Sequence, residues 1–240
     1  MEGVGAGEPA AALQRLDQIT RLLRTECPWD REQDERSIVP HTVEEAYELA
    51  DAAHSGDDAK LLDELGDVLF QVHFLSLLLE ERGAGDLAAV ADHCRNKLIR
   101  RHPHVFADVE VEDAAEVLRN WDDIKRGEAG REAGPFGDVP QTLPGPLYAR
   151  KLLRRADSAG REWPPEGARA RLESAVAAAL EAAPAGPAAG EPAGREQGFD
   201  AVGDLLFAAV ALARELRVDP ELALRAAADR FRDEMEGGTG

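Results

Sequence analysis

Between residues 59 and 82 the apolar side chains Leu61, Leu65, Val68, Leu69, Val72 and Leu79 recur at helical intervals. A half-buried strand would alternate with period two, so this spacing predicts a helix with one buried face. The polar residues of the same stretch are ordered too: Lys60, Glu64, Asp67 and Gln71 form a second stripe, a candidate wall for a site. Further helices are expected at about residues 10–25, with Leu13, Leu16, Ile19, Leu22 and Leu23 on one stripe, and at about 42–55, 86–101 and 113–126. Thr42 with Glu45 three places on reads as a capping box opening the second of these, after a loop that holds Pro28 and Pro40. Alternating runs of strand length are lacking, so the expected class is all-α, a helical bundle.

Composition narrows the partners. With 240 residues, 44% hydrophobic and 31% charged, the chain can bury a sizeable core. A net charge of -19 argues against general binding to nucleic acid or to anionic membranes, so an anionic substrate must meet a local basic patch. Cys27 and Cys94 have no CxxC partner, and a reducing cytoplasm is the expected compartment. Residues 1–9 are glycine-rich and acidic, unlike a signal peptide. No run approaches the roughly 18 apolar residues of a membrane helix.

The Gly- and Pro-rich stretch 128–146 reads as a linker, and the region C-terminal to it is partly a copy of the first half. Gly203-Asp204-Leu205-Leu206-Phe207 repeats Gly66-Asp67-Val68-Leu69-Phe70, but Ala201 stands where Glu64 does. In the helix before it, Ser174 and Ala177 align with Glu45 and Glu48. The expected organisation is therefore a flexible N-terminus (1–9), a catalytic domain (10–127), a linker (128–146), a degenerate second copy (147–236) and a short tail (237–240). Within the copy, the Ala/Gly/Pro segment 182–194 reads as a flexible loop.

The chemistry concentrates in Glu44-Glu45-Ala46-Tyr47-Glu48 and Glu64-Leu65-Gly66-Asp67. Residues three or four apart share a helix face, so Glu45, Glu48, Glu64 and Asp67 can converge if the two helices pack side by side. Four such acids would repel unless a cation joined them, and Mg²⁺ or Mn²⁺ prefers oxygen ligands. Each element also has a plainer reading. Glu45 could serve only as the capping partner of Thr42. Lys97, Arg100 and Arg101 suit a helix C-terminus, Trp121 and His73 suit a core, and His102 and His104 beside Pro103 suit a turn.

The ordered set EExxE then ExxD, with Cys27-Pro28-Trp29-Asp30, Gln33, the run from Lys97 to Phe106, and Trp121 with Lys125, resembles the MazG nucleoside triphosphate pyrophosphohydrolases. The likeness is close over residues 10–126 and loose over 147–235. It implies an all-α, Mg²⁺-dependent and usually dimeric enzyme that splits a nucleoside triphosphate between the α- and β-phosphates into monophosphate and pyrophosphate. It also implies metal ligation by Glu45, Glu48, Glu64 and Asp67, with Glu44 as a nearby acid that orients water or supports a ligand. Phosphate contacts fall on Lys60, Lys97 and Arg101, and further nucleotide contacts on Trp121 and Lys125. The chain departs from the pattern at Asp34-Glu35, where the family carries Thr-His, and in the lost acids of its second half. That loss favours the rival reading, a non-catalytic helical dimerisation or regulatory protein. The first half argues for an enzyme, because it keeps acids, bases and tryptophan together.

Overall fold

The computed structural model describes residues 8–128, 134, 136, 139–161, 163–182 and 192–237. Among these residues every regular element is a helix, and none is long and apolar enough to cross a membrane. The chain divides into two units, Met1–Asp108 and Val109–Gly240. That division falls before the helix bearing Trp121 rather than after it, as a boundary at 127 would have it.

The first unit comprises α1 (Pro9–Glu26), α2 (Pro28–Glu32), α3 (Glu35–Ser55), α4 (Asp58–Glu81), α5 (Leu87–Arg101) and the short α6 (Pro103–Phe106). α3 and α4 form an antiparallel hairpin, with α1 and α5 packed on α4. The expected loop around Pro28 and Pro40 is instead largely helical, and α3 starts seven residues before Thr42. The cause is Asp34, whose carboxylate accepts hydrogen bonds from the backbone N–H groups of Arg36 and Ser37, while the Ser37 hydroxyl accepts from the Asp34 N–H. This capping box starts the helix early enough for Pro40 to be carried within it. The departure Asp34-Glu35 is thus a helix start, and the reading of Glu45 as a capping partner falls.

Gly56, in the left-handed region at φ 71°, ends α3, and Asp57 immediately caps α4 through the N–H groups of Ala59 and Lys60. The interior of the unit is built on Ile38, Phe74 and Leu78, with Phe70 and Leu75 against them. Arg24 ties this core to its surroundings. Its guanidinium lies 5.8 Å from the Phe74 ring centre, donates to the carbonyls of Asp30 (2.5 Å) and Gln33 (3.0 Å), and holds both Glu81 oxygens at 2.8 Å. Arg21 makes a parallel fork to Glu80.

The two stripes of α4 depart from expectation only in part: Leu61, Val68 and Leu79 are half-buried, and Lys60 and Asp67 exposed, as their stripes suggest. Gln71, on the polar stripe, is buried, whereas Leu65, Leu69 and Val72 of the apolar stripe are 50%, 37% and 40% exposed. Phe74, Leu77 and Leu78 make the later part of α4 apolar over more of its circumference than one buried face requires, a pattern that suggests a partner chain, but all three are buried within the unit. Leu13, Ile19, Leu22 and Leu23 of α1 are likewise exposed, and Thr20 is buried in their place. The period of each helix was legible, but the face that turns inward depends on packing partners that periodicity does not name.

The second unit comprises α7 (Ala114–Arg126), α8 (Gly145–Ser158), α9 (Ala168–Ala182), α10 (Pro192–Glu215) and α11 (Pro220–Gly237). α9 and α10 pair as α3 and α4 do, and α8 packs on α10. Its core joins Ala149, Leu153, Ala168, Val210 and Ala211 to the rings of Trp163 and Phe207. Asp122 is buried and fastens α7 to α8, accepting from Arg154 (3.1 Å) and the Ser158 hydroxyl (2.7 Å). Of the expected loop 182–194, residues 183–191 lie outside the described residues, as do 1–7 of the N-terminus, 238–240 of the tail and part of the linker.

Candidate metal and nucleotide site

The α3–α4 hairpin determines which acids meet. Glu45 and Glu48 lie one turn apart on α3, and Glu64 faces them from α4. One carboxylate oxygen from each of the three lies within 4.8 Å of the others. Asp67, one turn beyond Glu64, is outside this trio but close enough for its charge to act on both helices.

The electrostatics show the crowding. Burial, then the charges of Asp67, Glu48, Glu64 and Glu44, hold the Glu45 carboxyl above its ordinary value. Burial, then Glu48, Asp67 and Asp63, do the same to Glu64. Glu64 Oε2 is also buried without a hydrogen-bond partner. A buried oxygen lacking a donor, amid like charges, lacks a positive partner. Hard carboxylate oxygens on two helices fit a divalent cation of the Mg²⁺ class.

Glu44 is not one of the trio, although its charge also acts on Glu45. Glu44 Oε2 lies 3.2 Å from His41 Nδ1, and the His41 ring meets the Trp29 ring edge-on at 5.9 Å. His41 is hard to single out in the sequence because Pro40 suggests a break there. With α3 running through, His41 and Glu44 are simply three apart on one face. The plain capping role for Glu45 gives way to a different local link: the Thr42 hydroxyl lies between the Ile38 carbonyl (3.3 Å) and Gln71 Oε1 (3.4 Å).

Comparison with known proteins decides between enzyme lineage and generic bundle. The MazG nucleotide pyrophosphohydrolase domain matches residues 33–106, the stretch that contains both acid-bearing helices. The chain is 37% identical over 228 residues to the nucleoside triphosphate pyrophosphohydrolase of Escherichia coli (strain K12), covering 90% of this chain and 85% of that protein. The chain belongs to the MazG family. A Thermotoga maritima relative, nucleoside triphosphate pyrophosphohydrolase/pyrophosphatase MazG, is 37% identical over 228 residues, covering 93% of this chain and 84% of its own length. An uncharacterized 26.1 kDa protein of Streptomyces cacaoi is 34% identical over 234 residues, covering 97% and 84%.

Within this MazG-family chain the basic residues divide by element. Lys60 is exposed in the first turn of α4, four residues before Glu64 and so on its face. Lys97 is half-buried and Arg101 buried, one turn apart at the end of α5, which packs on α4. Trp121 and Lys125 are half-buried on α7, in the second unit. In the second hairpin, among the described residues, Ser174, Ala177 and Ala201 offer no carboxylate. The remaining acid of the repeat, Asp204, lies 3.6 Å from Arg171, whose guanidinium also covers the Trp163 ring at 5.6 Å. There the protein supplies its own cation beside the acid.

Proposed function

We propose that this chain hydrolyses nucleoside triphosphates between the α- and β-phosphates, releasing monophosphate and pyrophosphate, at the hairpin of α3 and α4. The reading is carried by one observation, the convergence of Glu45, Glu48 and Glu64 around a buried, unpartnered carboxylate oxygen. With Asp67 beside them, these residues would hold Mg²⁺ or Mn²⁺. Such an ion neutralises charge on phosphate oxygens and lowers the pKa of a bound water.

The chain's own groups account for the rest. Lys60, Lys97 and Arg101 bind the triphosphate and stabilise the departing pyrophosphate, with the guanidinium suited to two phosphate oxygens at once. Glu44, steadied by His41, accepts a proton from the attacking water. Family resemblance adds nucleotide contacts from Trp121 and Lys125. Removal of faulty nucleotides from the cellular pool is the role we assign, in the reducing cytoplasm that the free Cys27 and Cys94 suit. The net charge of -19 argues against general binding to nucleic acid.

We also propose a homodimer. Leu62, Leu65, Leu69 and Val72 line one face of α4 and are 74%, 50%, 37% and 40% exposed. A second copy of the chain would cover them. The test of activity is direct: the protein is incubated with Mg²⁺ and each common or oxidised triphosphate. Monophosphate with pyrophosphate is the expected product pair, and diphosphate with phosphate would contradict the reading.

A further inference from the structure

The second unit has lost the acids that would hold a cation, yet it retains a cavity that its own core does not fill. Tyr148, Leu152 and Leu153 of α8, Phe207 of α10, and Trp163 line a space of about 500 Å³, with Arg161 also on its wall. This is within the roughly 300–1,000 Å³ of small-molecule sites, which pair apolar and aromatic walls with a few placed polar groups. The Trp163 and Phe207 rings lie 4.8 Å apart at 57°, with Arg171 over Trp163, and both rings are half-buried and line the cavity, so each keeps surface on that side. The walls are apolar, so a flat hydrophobic ring gains most by entering. Arg161 is exposed and would meet an anionic substituent left in water.

We propose that this cavity binds a planar aromatic ligand carrying one anionic group, making the second unit a ligand-binding module that needs no divalent cation. Nucleotides and simple aryl acids share that chemistry. Among the described residues the convergent acids lie in the other unit, so occupancy of this cavity can be read by a signal unrelated to hydrolysis.

The test uses the full chain with Trp29→Phe and Trp121→Phe, so that Trp163 is the remaining tryptophan, and the probe 8-anilinonaphthalene-1-sulfonate. Saturable binding of one probe per chain, with energy transfer from Trp163, is expected. Arg161→Glu, on the surface, should weaken the anionic probe at least about tenfold and leave the neutral N-phenyl-1-naphthylamine unchanged. Leu152→Glu should abolish both, with circular dichroism checking the fold. Displacement by adenosine monophosphate would place the occupant among nucleotides, and displacement by indole-3-acetate alone among aryl acids. The proposal is overturned if neither competes, if Arg161→Glu leaves the anionic probe unaffected, or if binding is lost on Leu65→Glu in α4 rather than on Leu152→Glu.

Discussion

The Thr42 hydroxyl faces the Gln71 side-chain oxygen at 3.4 Å across the α3–α4 pair, one turn from Glu45 on one helix and from Asp67 on the other. Gln71 is buried, so this contact sets the register of the two acid-bearing helices at a point closed to solvent.

Thr42→Val should therefore cost about 1 kcal/mol of stability, the scale of a neutral hydrogen bond. Thr42→Val with Gln71→Met should cost less than the two single changes summed, because their loss is shared. Urea denaturation of the four proteins measures it, and strict additivity would mean that the pair does not couple.

Glu48→Ala and Asp67→Ala should each abolish turnover while circular dichroism stays helical, since each removes an acid from the cation site. Asp204→Ala is the comparison. Its partner Arg171 leaves it little to contribute to metal binding, and an exposed pair is worth roughly 0–1 kcal/mol. Equal damage from Asp67→Ala and Asp204→Ala in folded protein would refute the assignment of catalysis to the first unit.

The raised carboxyls of Glu45 and Glu64 give stability a definite pH dependence. In the folded, cation-free protein these groups hold protons that the unfolded chain has already released. Stability therefore falls as pH rises from the ordinary carboxylate range through the raised values. A bound cation removes that penalty. Mg²⁺ should raise the melting temperature more at about pH 7 than at about pH 4, near the unperturbed carboxylate values. A shift independent of pH in calorimetry would argue against these acids as the ligands.

Arg24→Met should destabilise the first unit by about 2 kcal/mol or more, because two backbone carbonyls and Glu81 lose a charged donor together. Lys in its place should restore only part, lacking the fork that holds both Glu81 oxygens. Chemical denaturation of the three proteins reads the difference.

Leu65→Glu with Leu69→Glu should leave the fold intact and halve the molar mass seen by light scattering, because both side chains face outward on α4. An unchanged mass would place the dimer interface elsewhere.

Helix period and acid spacing were legible in the sequence because both are local. The α4 stripe predicted its helix to within a residue or two, and of the four acids whose spacing allowed convergence, Glu45, Glu48 and Glu64 meet while Asp67 lies outside the trio. The features that local reading missed were set by competition. Pro40 suggested a loop, but the Asp34–Ser37 cap had already started α3, and the contact of His41 with Glu44 depends on that early start. The exposure of Leu65 and the burial of Gln71 follow from how α4 rotates against α3, information carried by both helices jointly.

The turn at Gly56 and Asp57 makes the acid cluster a product of sequence neighbours. Contacts of such short separation close quickly and carry a small loop-entropy cost, so the hairpin can form while later segments are still being synthesised. Its negative charges should then meet early in folding, an order that refolding rates of Glu48→Gln with and without Mg²⁺ would test. A divalent cation present at that moment should speed folding itself, a kinetic role for the cofactor that precedes any encounter with substrate.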